Sequence, residues 1–421
     1  MKRRQIRTVA AMAASAGTVL AVAFVPASLG EHVATSGQGI AAGAGKRPGL
    51  QWHGTWRAAP QQPRASGPSN DGLDNQTARM VIHSTVGGHR LRVRFSNAYG
   101  TAPVVLGKVD VALQRRGPTT EPRSDHSVTF SGQQSVTIPV GQEVVSDTVD
   151  MTLRGQENLV ISVYFPDPTG PTTWHFEAES TTYFSTPGDW TAEPGGSPYQ
   201  TITPSWFYLD GVDVLGQAKG TVVAFGDSIT DGHYSTIDGN GRWPDWLAQR
   251  IPNYAVLNEG IGGNRVLTDG SGESALHRFG RDAINQLGVT AIIFLEGIND
   301  IDNDGTTADQ VIAGIQQVID MAHAACLPIF GGTLTPYQGA SSYTDVREKY
   351  REAVNQWIRT SGAFDGVIDF DKAVRDPNNP LALDPRYDTG GGHLHPNDLG
   401  YKAMADAIDL SLLRTSHPVC S

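Results

Sequence analysis

The stretch that decides the fold lies at residues 221–232 and reads TVVAFGDSITDG. Its first five residues carry no charge and predict a buried strand, and a turn and a helix start follow directly. A strand of this kind is typical of a parallel sheet that is covered on both faces. In such sheets, functional residues collect at the carboxyl ends of the strands, which is where Ser228 lies.

Downstream of this stretch, apolar runs alternate with helical patterns. Buried strands are predicted at 255–257, 291–295, 328–330 and 367–370, and helices at 246–251, 308–325, 346–358 and after Pro396. This alternation indicates a parallel sheet with helices on both faces. Residues 216–421 are therefore predicted to form an α/β domain.

Residues 51–215 show a different pattern. Apolar and polar residues alternate at 91–95, 136–140 and 159–165, and Gly, Pro, Ser or Asp bounds each run. Residues 86–89 read VGGH, which predicts a hairpin turn. Short alternating strands with regular turns predict an all-β sandwich of jelly-roll-like form. The tryptophans of this region fit either a sugar-binding platform or the packing of a core.

The first thirty residues have the order of a secretory signal peptide. Basic residues precede an apolar stretch at 9–25, and small residues at 26–28 supply a cleavage neighbourhood. The alternative is a membrane anchor, although about 17 apolar residues are at the short limit for a span. We expect residues 1–30 to be cleaved, residues 31–50 to act as a flexible linker, and the mature protein to be secreted without a membrane span.

Length, charge and cysteine content narrow the protein class. A chain of 421 residues has room for two domains. Its 32 basic and 43 acidic residues give a net charge of −11, which has the wrong sign for binding a nucleic-acid backbone. The two cysteines, Cys326 and Cys420, form either a disulfide, which an exported protein can keep, or two free thiols. No sequence feature fixes the oligomeric state.

Four segments at predicted strand ends or helix starts carry chemistry. Ser228 opens a helix, where amide N–H groups and the helix dipole favour a developing oxyanion. The glycine-rich turn at 258–264 brings N–H groups close to a ligand, and the amide of Asn299 can donate to an oxyanion. His393 and His395 precede the final helix. A serine hydroxyl needs a base of this kind before it becomes a nucleophile.

These segments resemble the four blocks of the SGNH, or GDSL, hydrolase family over residues 216–415, and the β-rich region resembles the N-terminal domain of secreted bacterial members. The resemblance implies a flavodoxin-like three-layer α/β/α domain and ester hydrolysis without a cofactor. It also implies that Ser228 is the nucleophile and His395 the general base. The N–H groups of Ser228 and Gly263 and the side chain of Asn299 would then form the oxyanion hole.

One position departs from the family pattern. The family usually carries an Asp three residues before the histidine, which orients the imidazole and selects its tautomer, whereas this chain has Gly392. Three alternatives remain open: a main-chain carbonyl near Gly392 orients His395, Asp388 or Asp384 reaches in, or the enzyme is impaired. We expect His393 to line the cleft rather than to bind a metal.

A partial match to a calcium-binding loop occurs at residues 300–305, which read DIDNDG. Such a loop should end in a bidentate Glu at its twelfth position, and that position is Val311. We therefore predict a polar, helix-starting loop and no metal site.

The sequence as a whole predicts a secreted serine esterase. Its expected substrates are short-chain acyl esters or acetylated polysaccharide, hydrolysed through an acyl-enzyme on Ser228. One alternative is a polysaccharide-binding protein whose hydrolase domain is catalytically impaired. Another is a lipase or phospholipase-type acylhydrolase.

Overall fold

The computed structural model of the protein describes residues 49–303 and 305–413 together with Cys420. The predicted signal peptide at 1–30 lies outside the described residues, as does most of the predicted linker at 31–50. In the part of the chain that is described, no helix is both long enough and apolar enough to cross a membrane.

Strands make up most of the region up to residue 216. In chain order its elements are β1 Gln51–Arg57, α1 Pro68–Asp71, β2 Gln76–His83, β3 Leu91–Ser96, β4 Val104–Leu106, β5 Lys108–Arg116, β6 Thr119–Thr120, β7 His126–Val128, β8 Val136–Ile138, β9 Glu143–Val145, β10 Asn158–Phe165, β11 Trp174–His175, β12 Thr182–Pro187, β13 Tyr199–Thr203, β14 Trp206–Phe207 and β15 Leu209–Gly216. The predicted strands at 91–95 and 159–165 are confirmed as β3 and β10. The run at 136–140 ends earlier, at β8, because Pro139 has no N–H to continue the ladder.

Two antiparallel sheets organise this region. One has the order β1-β15-β3-β9, and the other has the order β13-β12-β2-β10-β5-β6, with β7 also paired to β5. The predicted hairpin at 86–89 is wrong, because β2 and β3 belong to different sheets. Gly87 and Gly88 instead allow the backbone of other segments to approach closely. A Cβ on Gly87 would lie 2.6 Å from the carbonyl oxygen of Leu153, and one on Gly88 would lie 2.6 Å from that of Leu215.

Both larger sheets contribute to one hydrophobic core. Val93 of β3 and Val212 of β15 belong to the same buried cluster as Met80 of β2 and Ile161 of β10. All four side chains are fully buried. The alternation of apolar and polar residues along these strands therefore directs one face of each sheet toward a shared interior.

Three of the tryptophans pack inside the protein. Trp56, Trp174 and Trp206 are all less than 10% exposed and belong to the cluster that both sheets share. The rings of Trp56 and Trp206 meet edge to face with centroids 4.7 Å apart. These side chains therefore serve core packing rather than an open sugar-binding platform.

The region from residue 221 onward alternates strands with helices. Its elements are β16 Thr221–Gly226, α2 Ser228–Asp231, α3 Trp243–Arg250, β17 Ala255–Gly260, α4 Ala275–Phe279 with a π-helical turn at Gly280–Ile284, β18 Val289–Leu295, α5 Ile298–Ile301, α6 Ala308–Ala324, β19 Ile329–Gly332, α7 Asp345–Thr360, β20 Gly366–Ile368, α8 Phe370–Val374 and α9 Asp398–Asp406. The predicted strands and helices of this region are confirmed, with ends that differ by a few residues.

The five strands of this region form one parallel sheet with the order β17-β16-β18-β19-β20. Counted along the chain, this order is 2-1-3-4-5, and ligands bind outside the carboxyl ends of the strands where such an order reverses. All six residues of β16 are buried. Because β16 runs directly into α2, the first residue of that helix, Ser228, lies at this switch point.

The β-rich and α/β regions pack within a single compact unit. Strand β1 lies against β17. Val256 of β17 also donates its N–H to Oγ1 of Thr85, which follows β2, at 3.2 Å. The β-rich region is therefore in direct contact with the edge of the parallel sheet nearest to Ser228.

A disulfide joins Cys326, which follows α6, to Cys420 near the C-terminus. The bond spans a sequence separation of 94 residues. Of the two alternatives that the sequence left open, the structure has the bonded one.

Candidate active site

Ser228 is positioned by the turn between β16 and α2. Gly226 ends the strand, and a Cβ at this position would overlap the carbonyl oxygen of Leu295. Asp227 caps the helix, since its carboxylate accepts a hydrogen bond from the N–H of Ile229 at 3.0 Å. Ser228 is thus the first helical residue, where backbone N–H groups have no intrahelical partner.

His395 approaches Ser228 from the loop before α9. Its Nε2 lies 2.8 Å from Ser228 Oγ, which is a hydrogen-bond distance. The loop is held in place because Asp388 and Pro396 form a main-chain bridge and Asn397 caps α9. The structure therefore brings the predicted nucleophile and the predicted base together from distant parts of the chain.

The protonation state of His395 suits a base. Burial, together with the charge of the neighbouring His233, lowers the pKa of His395 from its ordinary 6.5 to about 3. The imidazole is therefore neutral at pH 7. For Nε2 to accept the hydroxyl proton of Ser228, the ring must carry its own proton on Nδ1.

The other predicted oxyanion donors lie on a turn and on a short helix that contact each other. Asn299 is in the first turn of α5, and its Nδ2 donates to the carbonyl oxygen of Asn264 at 2.9 Å. An amide nitrogen has a second N–H for a further acceptor. Gly263 has a φ of +75°, which favours glycine, and a Cβ on it would lie 2.6 Å from Ser271 Oγ. Asn299 is thus joined to the turn that carries Gly263.

Two carboxylates hold the glycine-rich turn and the residues just after it in place. Asp300 accepts hydrogen bonds from the N–H groups of Val266 and Leu267 at 2.7 and 3.0 Å. Asp231, at the end of α2, accepts from the N–H of Gly262 at 3.0 Å. The helix that begins at the serine therefore also fixes the turn that carries a predicted oxyanion donor.

A buried ion pair connects α2 to the β-rich region. His175 of β11 places Nε2 3.0 Å from Asp231 Oδ1 and donates from Nδ1 to the carbonyl oxygen of Ala59 at 2.9 Å. Burial on its own would lower the pKa of His175, but Asp231 raises it above its ordinary value. The pair shows that residues before 216 reach the helix of the nucleophile.

The carboxylates that the sequence nominated for orienting His395 contact other partners. Asp388 Oδ2 lies 2.5 Å from Nδ1 of His393, and Asp384 accepts from the guanidinium of Arg386 at 2.6 Å. Within residues 49–303 and 305–413, the one hydrogen bond of the His395 side chain is to the serine. Neither carboxylate, nor the main chain near residue 392, supplies a partner for its Nδ1.

Sequence reasoning missed four side chains beside the base. The rings of His233 and Tyr234 pack against the imidazole of His395 with centroid separations of 4.6 and 5.6 Å. Glu177 Oε2 and Glu179 Oε1 lie 3.2 and 3.6 Å from His233 Nδ1. His233 is only five residues after Ser228 in the sequence, and this closeness could have indicated that it lies near the site. Nothing in the β-rich pattern marks the two glutamates.

A comparison with known families identifies the segment that contains these residues. Residues 224–403 match the model of the GDSL-like Lipase/Acylhydrolase family, and the match contains Ser228, Gly263, Asn299 and His395. The match defines the class of this segment, which is a GDSL-like lipase/acylhydrolase domain. Residues 224–403 belong to the GDSL-like lipase/acylhydrolase family.

Solved structures with a similar fold include a lipolytic protein of the G-D-S-L family from Desulfitobacterium hafniense, with 20% identity, 45% of this chain and 97% of that chain covered, and a TM-score of 0.37. A carbohydrate acetylesterase from Sinorhizobium meliloti is 14% identical, with 47% and 99% covered and a TM-score of 0.38. An aryl esterase from M. smegmatis is 15% identical, with 47% and 100% covered and a TM-score of 0.38. None of the curated proteins matches the chain.

Proposed function

We propose that the protein is a serine esterase that hydrolyses carboxylic esters through an acyl-enzyme on Ser228. The observation that carries this proposal is the 2.8 Å distance between Ser228 Oγ and His395 Nε2 at the carboxyl end of β16. A serine hydroxyl becomes a competent nucleophile when a base at this distance takes its proton. Ester substrates also fit the acylhydrolase family of residues 224–403.

In the first half of the proposed reaction, Ser228 Oγ attacks the carbonyl carbon of the ester while His395 Nε2 takes the hydroxyl proton. The carbonyl oxygen becomes negative and accepts hydrogen bonds from the N–H groups of Ser228 and Gly263 and from Asn299 Nδ2. The intermediate then breaks its bond to the alcohol oxygen, and the imidazolium of His395 protonates the departing alcohol. The acyl group stays on the serine.

In the second half, a water molecule takes the place of the alcohol. His395 removes a proton from this water, whose oxygen attacks the acyl carbon and forms a second tetrahedral intermediate. The bond to Ser228 Oγ breaks, the serine regains its proton from the imidazolium, and the carboxylic acid leaves. The scheme uses no metal and no cofactor, because N–H donors meet the charge on the oxyanion.

The substrate class that we propose is short-chain acyl esters, including acetylated polysaccharide. We call the glycine-rich turn at residues 258–264 the oxyanion turn. A cavity of about 200 Å³ is lined by Gly262 of this turn, by Ser271, which lies beside Gly263, and by Trp174 and Phe176 of the β-rich region. This volume is below that of most sites for larger ligands, so a cavity at this place has room for a short acyl group but not for the long chain of a lipid. The aromatic side chains provide an apolar wall.

A second candidate function is the binding of polysaccharide by a hydrolase domain whose turnover is impaired. The observation that favours it is the pairing of Asp388 with His393, which leaves His395 without a carboxylate partner. Loss of the orienting carboxylate lowers the rate of a serine–histidine site by several orders of magnitude in other enzymes. Binding without hydrolysis would distinguish this function from the first.

We also propose that the mature protein is exported after cleavage of residues 1–30, with residues 31–50 as a linker. The proposed domains are 51–215 and 216–421. The core that both larger sheets share supports a jelly-roll-like sandwich for the first domain. The alternation of strands and helices supports α/β/α layers for the second.

The first experiment compares p-nitrophenyl acetate hydrolysis by the mature protein with that by its Ser228→Ala variant. We expect the variant to lose the enzymatic rate while its circular dichroism stays unchanged. Ser361→Ala, at an exposed serine that follows α7, is the matched control and should keep the full rate. Equal rates in the mature protein and Ser228→Ala would overturn the esterase proposal. Retained binding of acetylated xylan would then favour the second function.

A further inference from the structure

Aromatic rings, rather than a carboxylate, hold the imidazole of His395. The ring of His233 meets it edge to face, with centroids 4.6 Å apart and planes at 77°. The ring of Tyr234 lies against it at 5.6 Å with planes at 55°. Among the described side chains, only Ser228 forms a hydrogen bond with this imidazole. Ring packing therefore takes over the part that an orienting carboxylate plays elsewhere.

The backbone that carries these two rings is strained and firmly held. Tyr234 has a φ of +67°, a conformation that costs a bulky residue ~1–3 kcal/mol. The hydroxyl of Tyr401 donates to the carbonyl oxygen of His233 at 2.7 Å, and the N–H of His233 donates to that of Ser228 at 3.0 Å. Strain of this kind persists only where the surroundings impose it, and it clusters at functional sites.

The imidazole of His233 is anchored from the β-rich region. Its Nδ1 lies 3.2 Å from Glu177 Oε2 and 3.6 Å from Glu179 Oε1. The three side chains are between 12 and 28% exposed, so salt screens their attraction less than it would at the surface. Glu177 is also packed against the oxyanion turn, because a Cβ on Gly262 would overlap its carboxylate. Glu177 is therefore fixed in position relative to the site.

We propose that a clamp of four side chains positions His395 for its work as the base: Glu177, Glu179, His233 and Tyr234. The proposal rests on the proposed function of the serine and this histidine. In the clamp, the β-rich region supplies the carboxylates that the α/β region lacks at residue 392. These carboxylates fix the ring of His233, and that ring packs against the imidazole of the base.

The clamp also couples the protonation of its histidine to that of the base. The ionisable groups that face His233 are Glu177, Glu179, Asp231, Tyr234, His395 and Tyr401. Burial on its own would lower the pKa of His233, but Glu179, Glu177 and Asp231 raise it above its ordinary value. A charged His233 in turn lowers the pKa of His395. Removing that charge should therefore raise the pKa of His395.

The first test is steady-state ester hydrolysis by variants of the full mature chain. Glu177→Gln/Glu179→Gln removes the anchoring carboxylates, of which Glu177 has its pKa raised to about 7 by burial. His233→Phe removes the imidazole and its charge while keeping an aromatic ring. In the double variant we expect kcat to fall ~10- to 100-fold with little change in KM, because a displaced base slows the chemical steps and not binding. In His233→Phe we expect a smaller fall, because the ring is kept and the higher basicity of His395 opposes the loss. His323→Phe is the matched control, because His323 on α6 also pairs with a carboxylate, that of Asp365 at 2.9 Å. It should keep the full kcat.

The pH profile separates positioning from a role in folding alone. In His233→Phe, the acid limb of kcat/KM should move to higher pH, because His395 loses a positive neighbour. A folding role would lower the rate without moving this limb. Unchanged kcat and an unmoved limb in both variants would overturn the clamp and leave serine-dependent hydrolysis standing.

An NMR titration of the imidazoles gives a readout that does not depend on turnover. His395→Ala assigns the resonance of the base, and His233→Phe assigns that of the clamp histidine. We expect a higher pKa for His395 in His233→Phe, and a lower pKa for His233 in Glu177→Gln/Glu179→Gln. If the mature protein hydrolyses no ester, the proposed function fails and this titration alone decides: the two shifts support the clamp, and their absence overturns it. If the double variant does not fold, Glu177→Gln alone is titrated under the same criterion.

Discussion

A carboxylate introduced at residue 392 should raise the turnover of this enzyme. The family pattern that the chain resembles has its orienting carboxylate at this position, three residues before His395. Gly392 can accept a side chain, because a Cβ there would meet no atom within 4 Å. The substitution Gly392→Asp therefore tests whether the missing carboxylate limits the rate.

The expected gain follows from the basicity of His395. At a pKa of about 3 for this group, forming the imidazolium at pH 7 costs ~5 kcal/mol. An opposite charge nearby raises such a pKa by ~1–3 units, and solvent screening in an open loop keeps the effect near the low end. A gain of ~1.4–2.7 kcal/mol in the transition state corresponds to a kcat that is ~10- to 100-fold higher.

The assay is kcat for p-nitrophenyl acetate across pH, for the mature protein and two variants. Gly391→Asp is the matched control, since a Cβ on Gly391 also meets no atom within 4 Å and the added charge is the same. We expect only Gly392→Asp to gain turnover, and its acid limb should move to higher pH as the pKa of His395 rises. Equal kcat in all three proteins, with an unmoved limb, would refute the reasoning that the missing carboxylate limits the rate.

Three further predictions concern the oxyanion hole, the buried pair and the disulfide. Asn299→Ala should lower kcat by ~10²–10³-fold with the fold intact by circular dichroism, and a loss of less than about threefold would show that the amide does not face the oxyanion. Asp231→Asn should lower the melting temperature more at pH 5.5 than at pH 9. The reason is that Asp231 raises the pKa of His175 in the folded protein. Protonated His175 therefore stabilises the fold fully below its ordinary pKa of 6.5, and this stabilisation is lost as the pH rises through the pKa in the folded protein. Equal losses of melting temperature at both pH values would contradict this. Cys326→Ser/Cys420→Ser should lower the free energy of unfolding in urea by about 2–4 kcal/mol, since the bond closes a loop with a separation of 94 residues, and an unchanged midpoint would contradict the bond.

The parallel sheet could be predicted because its strands are buried on both faces. Residues 221–226 are all buried, so they have to be apolar or small, and such runs stand out in a sequence. The nucleophile could be predicted for a related reason, because Ser228 closely follows β16 and the end of that strand places it at the carboxyl edge of the sheet. The base could be predicted because His395, unlike His393, precedes a proline as in the family that the chain resembles.

Pairing between the strands of the β-rich region could not be predicted in the same way. Alternation identifies a strand and its two faces, but it does not identify the neighbouring strand. Residues 86–89 have the composition of a hairpin turn, yet they connect strands of different sheets. Their glycines are required by the close approach of Leu153 and Leu215, which lie far away in sequence.

The side chains that surround the base could not be predicted from the sequence either. Which histidine pairs with Asp388 depends on the path of one loop. Asp388 is near both histidines in sequence, and a φ of +55° at His393 accompanies the pairing of that ring with this carboxylate. No composition rule distinguishes His393 from His395 in this respect. The anchors Glu177 and Glu179 lie more than 200 residues before the base in the sequence, so only the packed structure reveals them.

An orienting carboxylate does two things for a catalytic histidine, and the clamp does only one of them. The clamp fixes the plane of the imidazole of His395 by packing. A carboxylate would favour protonation of this imidazole, whereas the charge on His233 opposes it. The base is therefore well placed but weak, and it stays neutral far into the acid range. An ordinary imidazole of pKa 6.5 would lose ~30-fold of its neutral form at pH 5, whereas one of pKa about 3 loses almost none. We therefore expect kcat/KM for p-nitrophenyl acetate to fall less than about twofold between pH 7 and pH 5. A fall of tenfold or more in that interval, at unchanged circular dichroism, would show that the base titrates like an ordinary histidine and that burial and the charge of His233 do not lower its pKa.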